Sequence, residues 1–194
     1  MKKICWIMLS LLLLVGCRTS VKNQFFFPAD QSSAGYQVEF EDVETIELIS
    51  KEADLYIEKI NQLEDGAIYH LYFDGETNIP LNNLNLGNFY VMKDKIYKLN
   101  CSDEDIEKIK SSSDIPSGSS IVCNEQEVKD PLSENERGWH ESIDVDDETR
   151  SYHGYSTQTE TGYYESFVWE KGVGLIEYRS GYGAGREFFE MKLC

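Results

Sequence analysis

The sequence predicts an α+β domain: an antiparallel β-meander of about six to eight strands, one long N-terminal helix packed on a face of it, and a second, shorter helix. Three observations carry this expectation. Apolar residues between 42 and 64 recur at three- and four-residue steps, the spacing of one buried helical face. From Gly138 to the end lie six of the twelve tyrosines and eight of the fourteen glycines. That composition suits short strands joined by tight turns. Two further runs, 67–73 and 89–99, are rich in aromatic and β-branched residues, so the helix has a sheet to pack on.

The chain opens with Met1-Lys2-Lys3, an apolar run from Ile4 to Val15 broken only by Ser10, and then Leu14-Val15-Gly16-Cys17. A basic start, a short apolar core and a small residue before the cut form a secretory signal over 1–16. Twelve residues are too few to span a bilayer, which needs about 20. A cysteine directly after Leu-Val-Gly resembles the lipobox of bacterial lipoproteins. The resemblance implies that Cys17 receives a diacylglyceryl group, whose two acyl chains (palmitate is typical) anchor it, and becomes the first residue of the mature protein. Each buried methylene contributes about 0.8 kcal/mol, and stable anchoring takes two chains. Residues 17–35 read as a lipidated tether, polar and ending in Ser32-Ser33-Ala34-Gly35. Phe25-Phe26-Phe27-Pro28 is its apolar exception, expected to dock on the folded domain or to sit at the lipid interface. Residues 36–194 form the single domain.

Within that domain the helix is predicted over 42–64, with Val43, Ile46, Ile49, Ala53, Tyr56/Ile57, Ile60 and Leu63 on its apolar face. Asp42, Glu44 and Glu47 suit its positive end and Gly66 its C-terminal cap. Ala67–Phe73 is a strand ending in an Asp74-Gly75 turn, and 79–87 is a loop. Phe89–Met92 and Lys95–Leu99 form a hairpin about Lys93-Asp94. Ser102 and the acids after it start the second helix, which ends before Pro116. A short strand covers Ile121–Cys123, and 125–138 connects it to the last five. These are Trp139–Val145, Ser151–Thr157, Tyr163–Glu170, Leu175–Tyr182 and Glu187–Leu193, at the spacing of an antiparallel meander. In the last of them Phe189, Met191 and Leu193 share one face.

The formal charge is −17 over 194 residues and becomes −19 once Lys2 and Lys3 leave with the signal. Such a chain does not neutralise phosphates, so nucleic acid is excluded as a partner. It also lacks the polybasic segment that lies on an anionic leaflet. Beyond Cys5 and Cys17, three cysteines remain. Cys101 and Cys123 flank the second helix and either form a disulfide or stay two separate buried thiols. Cys194 is left over.

Catalytic signatures fail on inspection. His140-Glu141-Ser142-Ile143-Asp144 begins like a zinc-protease motif but has Asp where the second histidine is needed. Asp144, Asp146 and Glu148 alternate like the start of a calcium loop, yet Thr149 stands where glycine is required. They are a weak calcium candidate at most. Gly181–Arg186 is glycine-rich, but a strand rather than a helix follows, so it reads as a hairpin and not a phosphate cradle. No catalytic residue, metal or cofactor is predicted. Tyr164–Tyr178, with Trp169-Glu-Lys-Gly172-Val-Gly174-Leu-Ile at its centre, resembles hairpins near the C-terminus of many uncharacterised secreted bacterial lipoproteins. The resemblance implies a sheet-rich domain of the kind that carries lipophilic cargo, and no catalytic residue.

The predicted function is therefore a lipoprotein held to the cell membrane on its extracytoplasmic face through Cys17. Its domain is expected to bind a small molecule, a lipid or a protein partner without catalysis. Trp139, Tyr155, Tyr163, Trp169, Tyr178 and Tyr182 are the contact candidates, because aromatic rings offer large area at low entropic cost. Two alternatives remain open: a surface hydrolase using paired acids, and an inhibitor or immunity-type protein with an acidic face. A filled or a hollow sheet interior separates lipid carriage from the rest.

Overall fold

The computed structural model describes residues 22–42, 45, 47–75, 79, 83–129, 138–158, 162–183 and 188–194. The signal segment, Cys17 and residues 184–187 of the glycine-rich loop lie outside them. Eleven strands form one sheet: β1 (Ser33–Glu41), β2 (Leu48–Gln62), β3 (Gly66–Phe73), β4 (Asn85–Met92), β5 (Lys95–Lys98), β6 (Ser120–Asn124), β7 (Trp139–Val145), β8 (Thr149–Ser156), β9 (Tyr163–Glu170), β10 (Gly174–Tyr182) and β11 (Phe189–Leu193). The helical elements named among the described residues are α1 (Asp103–Ile106) and a 3₁₀ turn, Ser112–Asp114.

The α+β expectation is therefore wrong, and the fold is a nearly closed antiparallel barrel. The long helix fails in a specific way. Ile49, Ala53 and Ile57 are four residues apart, and a spacing of four satisfies a helical face and a strand face equally. Leu55 decides between them: it is fully buried, its alternate neighbours Ala53 and Ile57 are buried too, and Glu52, Asp54 and Glu58 are exposed. Residues 48–62 are consequently the longest strand of the sheet, pairing with β1 and β3. The second helix shrinks to one turn, where the Ser102 hydroxyl donates to Asp105 Oδ2 (2.8 Å) instead of accepting from the backbone.

Strand order is β6-β5-β4-β3-β2-β1-β11-β10-β9-β8-β7, every neighbouring pair antiparallel. The meander thus closes between its first and last strands, and the seam lies mid-chain between β6 and β7. An odd number of alternating strands leaves both edges running the same way, so β6 and β7 do not pair antiparallel with each other. The chain leaving β6 turns back instead. Val128 and Ile143 exchange backbone hydrogen bonds of 3.0 and 2.8 Å, a single antiparallel rung. Arg150 Nε adds a bond to the Asn124 carbonyl across the seam (3.0 Å).

The interior is filled. Eight strands leave a lumen that side chains just fill, and eleven leave more. Large rings occupy the difference: Tyr36, Phe89, Tyr152, Phe167, Trp169 and Phe189 are all fully buried. At the end carrying the β4–β5 and β9–β10 turns, Phe25, Phe26 and Phe27 insert as a plug. Phe26 packs on Tyr69 and Trp169, with centroids 4.5 and 6.1 Å apart, and the Arg150 guanidinium covers Phe25 at 4.3 Å. Asn23 Nδ2 donates to the Met92 carbonyl (2.8 Å) and Gly172 N–H to the Gln24 carbonyl (2.7 Å). A smaller outer layer buries Ile68, Tyr90 and Leu99 under Ile106 and Ile109 of the α1 region.

Candidate functional site

A second set of side chains gathers at the opposite end of the barrel. Inward alternation along β9 puts Phe167 and Trp169 deep in the core and brings Tyr163 and Glu165, at the same parity, to this mouth. Facing them in register on β10 are Ser180, opposite Glu165, and Tyr182, opposite Tyr163; Tyr178 lies one step deeper. Lys98 and Ser120 are partners across β5 and β6, and β7 contributes Trp139 and Glu141. Lys98, Ser120, Trp139, Tyr163 and Glu165, with Leu99, Asn100 and Gly118, bound a cleft of about 440 Å³, within the range of small-molecule sites.

Two carboxylates organise its polar groups. Glu165 is 6% exposed. It pairs with the Lys98 ammonium and accepts from Tyr178 OH at 2.9 Å. Glu141 Oε1 accepts from Trp139 Nε1 (2.7 Å), from Ser120 Oγ and from Tyr152 OH (3.1 Å). Burial, reinforced by the Glu165 charge, pushes the Tyr163 phenol up to about 12 and raises Tyr178 well above its ordinary value. Both phenols therefore stay protonated donors at neutral pH. Rings form the rim: Trp139 and Tyr163 stack at 6.2 Å and 20°, and Tyr182 meets Tyr163 edge-on at 5.6 Å. Trp139 reaches this position because residue 154 is glycine; a Cβ there would fall 2.5 Å from Trp139 Cζ2. Trp139 and Tyr182 remain 38% and 44% exposed.

Of the six predicted contact residues, Trp139 and Tyr163 line this cleft, Tyr182 packs edge-on against Tyr163, and Tyr178 is buried beneath, bonded to Glu165. Tyr155 stands apart on the outer face, stacked on His140 at 5.0 Å. Trp169 is fully buried core, parallel to Phe167 at 6.1 Å. The predicted disulfide partners are on different layers, Cys101 against the outer cluster and Cys123 in the barrel interior, and both are thiols. Asp146, of the calcium candidate Asp144, Asp146 and Glu148, builds the β7–β8 turn, accepting from Glu148 and Thr149 N–H at 2.8 and 2.7 Å. Those bonds and the Thr149 hydroxyl hold its carboxyl below the usual range. Among the described residues no three His, Cys, Asp or Glu side chains are grouped to hold a metal ion. Sequence reasoning missed Lys98, Ser120, Glu141, Tyr152 and Glu165. The signal lay in Tyr163-x-Glu165-x-Phe167-x-Trp169, a carboxylate on an otherwise aromatic inward stripe, and in Lys98 sharing parity with Ile96.

No protein-family model matches the chain, and no curated protein matches it. Among solved structures it resembles one described as "a putative lipoprotein from Parabacteroides distasonis", at 10% identity and TM-score 0.38, over 89% of this chain and 98% of the other. At that similarity nothing is carried over from it.

Proposed function

We propose that this protein is a lipid-anchored, extracytoplasmic binding protein whose ligand enters the cleft at the end of the barrel opposite the Phe25–Phe27 plug. The observation that supports it is the polar cleft lined by Trp139, Tyr163, Lys98 and Glu165, at the end of the barrel away from the Phe25–Phe27 plug. The rings of Tyr36, Phe89, Phe167 and Trp169 packed in the interior argue against lipid carriage, because an acyl chain would have to displace them. The outer face argues against a membrane-spanning barrel: Glu52, Asp54, Glu58 and Lys192 point outward and are exposed, where a spanning barrel carries an apolar band. Anchoring then rests on Cys17 and its lipobox.

The plug also sets orientation. Asn23 is docked six residues after Cys17, and six residues extend at most about 20 Å. A lipid on Cys17 would hold the plugged end near the bilayer and turn the cleft outward.

Two measurements test this. Cys17→Ser should lose incorporation of labelled palmitate and stay largely unprocessed. In vesicles carrying the mature protein, iodide should quench Trp139 as fully as in detergent micelles, since Trp169 is buried and silent. Retained labelling of Cys17→Ser refutes the anchor, and protection of Trp139 by the bilayer refutes the outward mouth.

A further inference from the structure

We infer that the outer wall of the barrel, where β2 and β3 meet α1, docks an arginine-bearing segment of a partner protein, at a surface separate from the cleft. Every second residue of β2 from Leu48 to Ile60 is exposed, and the row includes Glu52, Asp54, Tyr56 and Glu58. Tyr56 stacks on Tyr72 across the strand pair, with centroids 5.6 Å apart, and Tyr72 packs on His70 at 5.1 Å. Three rings thus cross an acidic wall. Beside them a groove of about 260 Å³ is lined by Glu58, Ile60, His70, Ile106 and Glu107, apolar contacts between two carboxylates.

The negative charge of this wall is unopposed. Residues 33–58 hold eight acids and one lysine, and residues 42–47 and 74–84, which join these strands, hold neither lysine nor arginine. The lysines of β2 and the α1 region are committed elsewhere. Lys51 lies over the Phe40 ring and Lys59 over Tyr69. Lys108 pairs with Asp105, and Lys110 Nζ donates to the Glu107 carbonyl. Among the described residues no cation pairs with the carboxylates of Glu52, Asp54, Glu58 or Glu107. Charge complementarity therefore calls for a basic partner.

The mixture of rings, aliphatic groups and acids specifies arginine. Its guanidinium can stack on a tyrosine while its N–H groups bond a carboxylate, and its stem can cover apolar surface such as Ile60 and Ile106. A lysine ammonium is more strongly hydrated and offers no flat face to a ring. Asp54 and Glu58 each lie two residues from Tyr56 on the same face of β2, about 7 Å along the strand. An extended segment with arginine at alternate positions has the same spacing. A second copy of this chain would bring like charge to the wall and does not fit. A lone metal ion does not fit either, since among the described residues no three His, Cys, Asp or Glu side chains are grouped to hold one.

The test uses the mature lipidated protein in non-ionic detergent micelles. Its probes are a fluorescein-labelled peptide of arginine alternating with threonine, the lysine counterpart of that peptide, spermine and calcium. Binding is followed by fluorescence anisotropy at an ionic strength of about 0.15 M. The arginine peptide should bind about tenfold or more tighter than the lysine peptide, as a desolvated cation–ring contact allows. Tyr56→Ala should remove most of that preference and Tyr56→Phe, which keeps the ring, should retain it. Asp54→Lys should weaken the arginine peptide about tenfold, whereas Asp147→Lys, an equal change of charge at the β7–β8 turn, should leave it within about twofold. Equal affinity for the two peptides, or a preference that survives Tyr56→Ala, would reduce the wall to diffuse charge attraction and overturn the proposal. Displacement of the arginine peptide by spermine or calcium at matched charge would assign the wall to a small cation and overturn the protein partner. Equal losses in Asp54→Lys and Asp147→Lys would put the contact elsewhere, and no binding of the arginine peptide would refute docking outright.

Discussion

Gly174 shows how a single residue fixes the sealed end of the barrel. Its φ is +113°, a region that side-chain-bearing residues rarely adopt. A Cβ there would also lie 2.5 Å from Phe27 Cδ1. Gly172 is likewise at positive φ, +78°, but its Cβ would meet open space. The sequence pattern Lys171-Gly172-Val173-Gly174 made the turn and its backbone legible; it held no hint that Phe27, 147 residues away, packs against it. Both glycines replaced singly by Val should destabilise the protein, Gly172→Val by about 1–3 kcal/mol through backbone strain alone. Gly174→Val should cost more, because the plug must also move. Urea denaturation of the two variants measures this, and equal losses would mean that Phe27 does not bear on Gly174. At the mouth the residue scale was less legible. Trp139, Tyr163, Tyr178 and Tyr182 could be named as aromatic, but Tyr155 and Trp169 are aromatic too. Which ring faces the cleft depends on strand parity and depth within the barrel, and neither is encoded in residue type. Glu165 and Lys98 are invisible for the opposite reason: charged residues read as surface until the buried stripe they interrupt is known.

At the scale of elements, the strands of the second half were legible because polar and apolar residues alternate between turn residues. Tyr163–Glu170 and Trp139–Val145 match their predicted bounds, and the β4–β5 hairpin turns at Lys93-Asp94 as expected. β2 was misread because its apolar residues at 49, 53 and 57 fit two periods, and acids at its start imitate a helix N-terminus. Segment 23–27 is an element of a different kind: it has no regular secondary structure, yet it completes the core. Its rings contact β3 and β9 residues, so the plug ties the entry of the chain to strands on both sides of the β1–β11 closure. Phe26→Ala should therefore destabilise the whole barrel by about 3–5 kcal/mol, the usual cost of emptying a buried aromatic site. Thermal or urea unfolding would read it. A loss near zero would mean that the segment rests on the barrel without sealing it.

For the whole molecule, closure into a filled barrel places several ionisable groups out of water, and this sets how stability depends on pH. Burial pushes the Cys123 thiol up to about 12, and it raises the phenols of Tyr36, Tyr152 and Tyr178 above their ordinary value. In each case the folded state keeps a proton that the unfolded chain gives up at a lower pH. Their contribution is thus fully present below about pH 9, where the thiol is still protonated in both states. It is lost as pH rises above the unfolded values, because there the unfolded state binds fewer protons than the folded one. Past that point each such group costs about 1.4 kcal/mol per pH unit. Self-repulsion of the acidic surface does not explain the onset of this loss near pH 9, since carboxylates are already ionised at pH 7 and lysines give up their charge mainly above about pH 10. Urea midpoints should consequently stay level from pH 7 to about 8.5 and fall steeply above 9, the thiol leading and the phenols following. Cys123→Ala should flatten the first part of that fall while leaving the steeper part, above about pH 10, to the tyrosines. A midpoint unchanged from pH 7 to 11 would mean that water reaches these groups, and hence that the barrel is not closed around them.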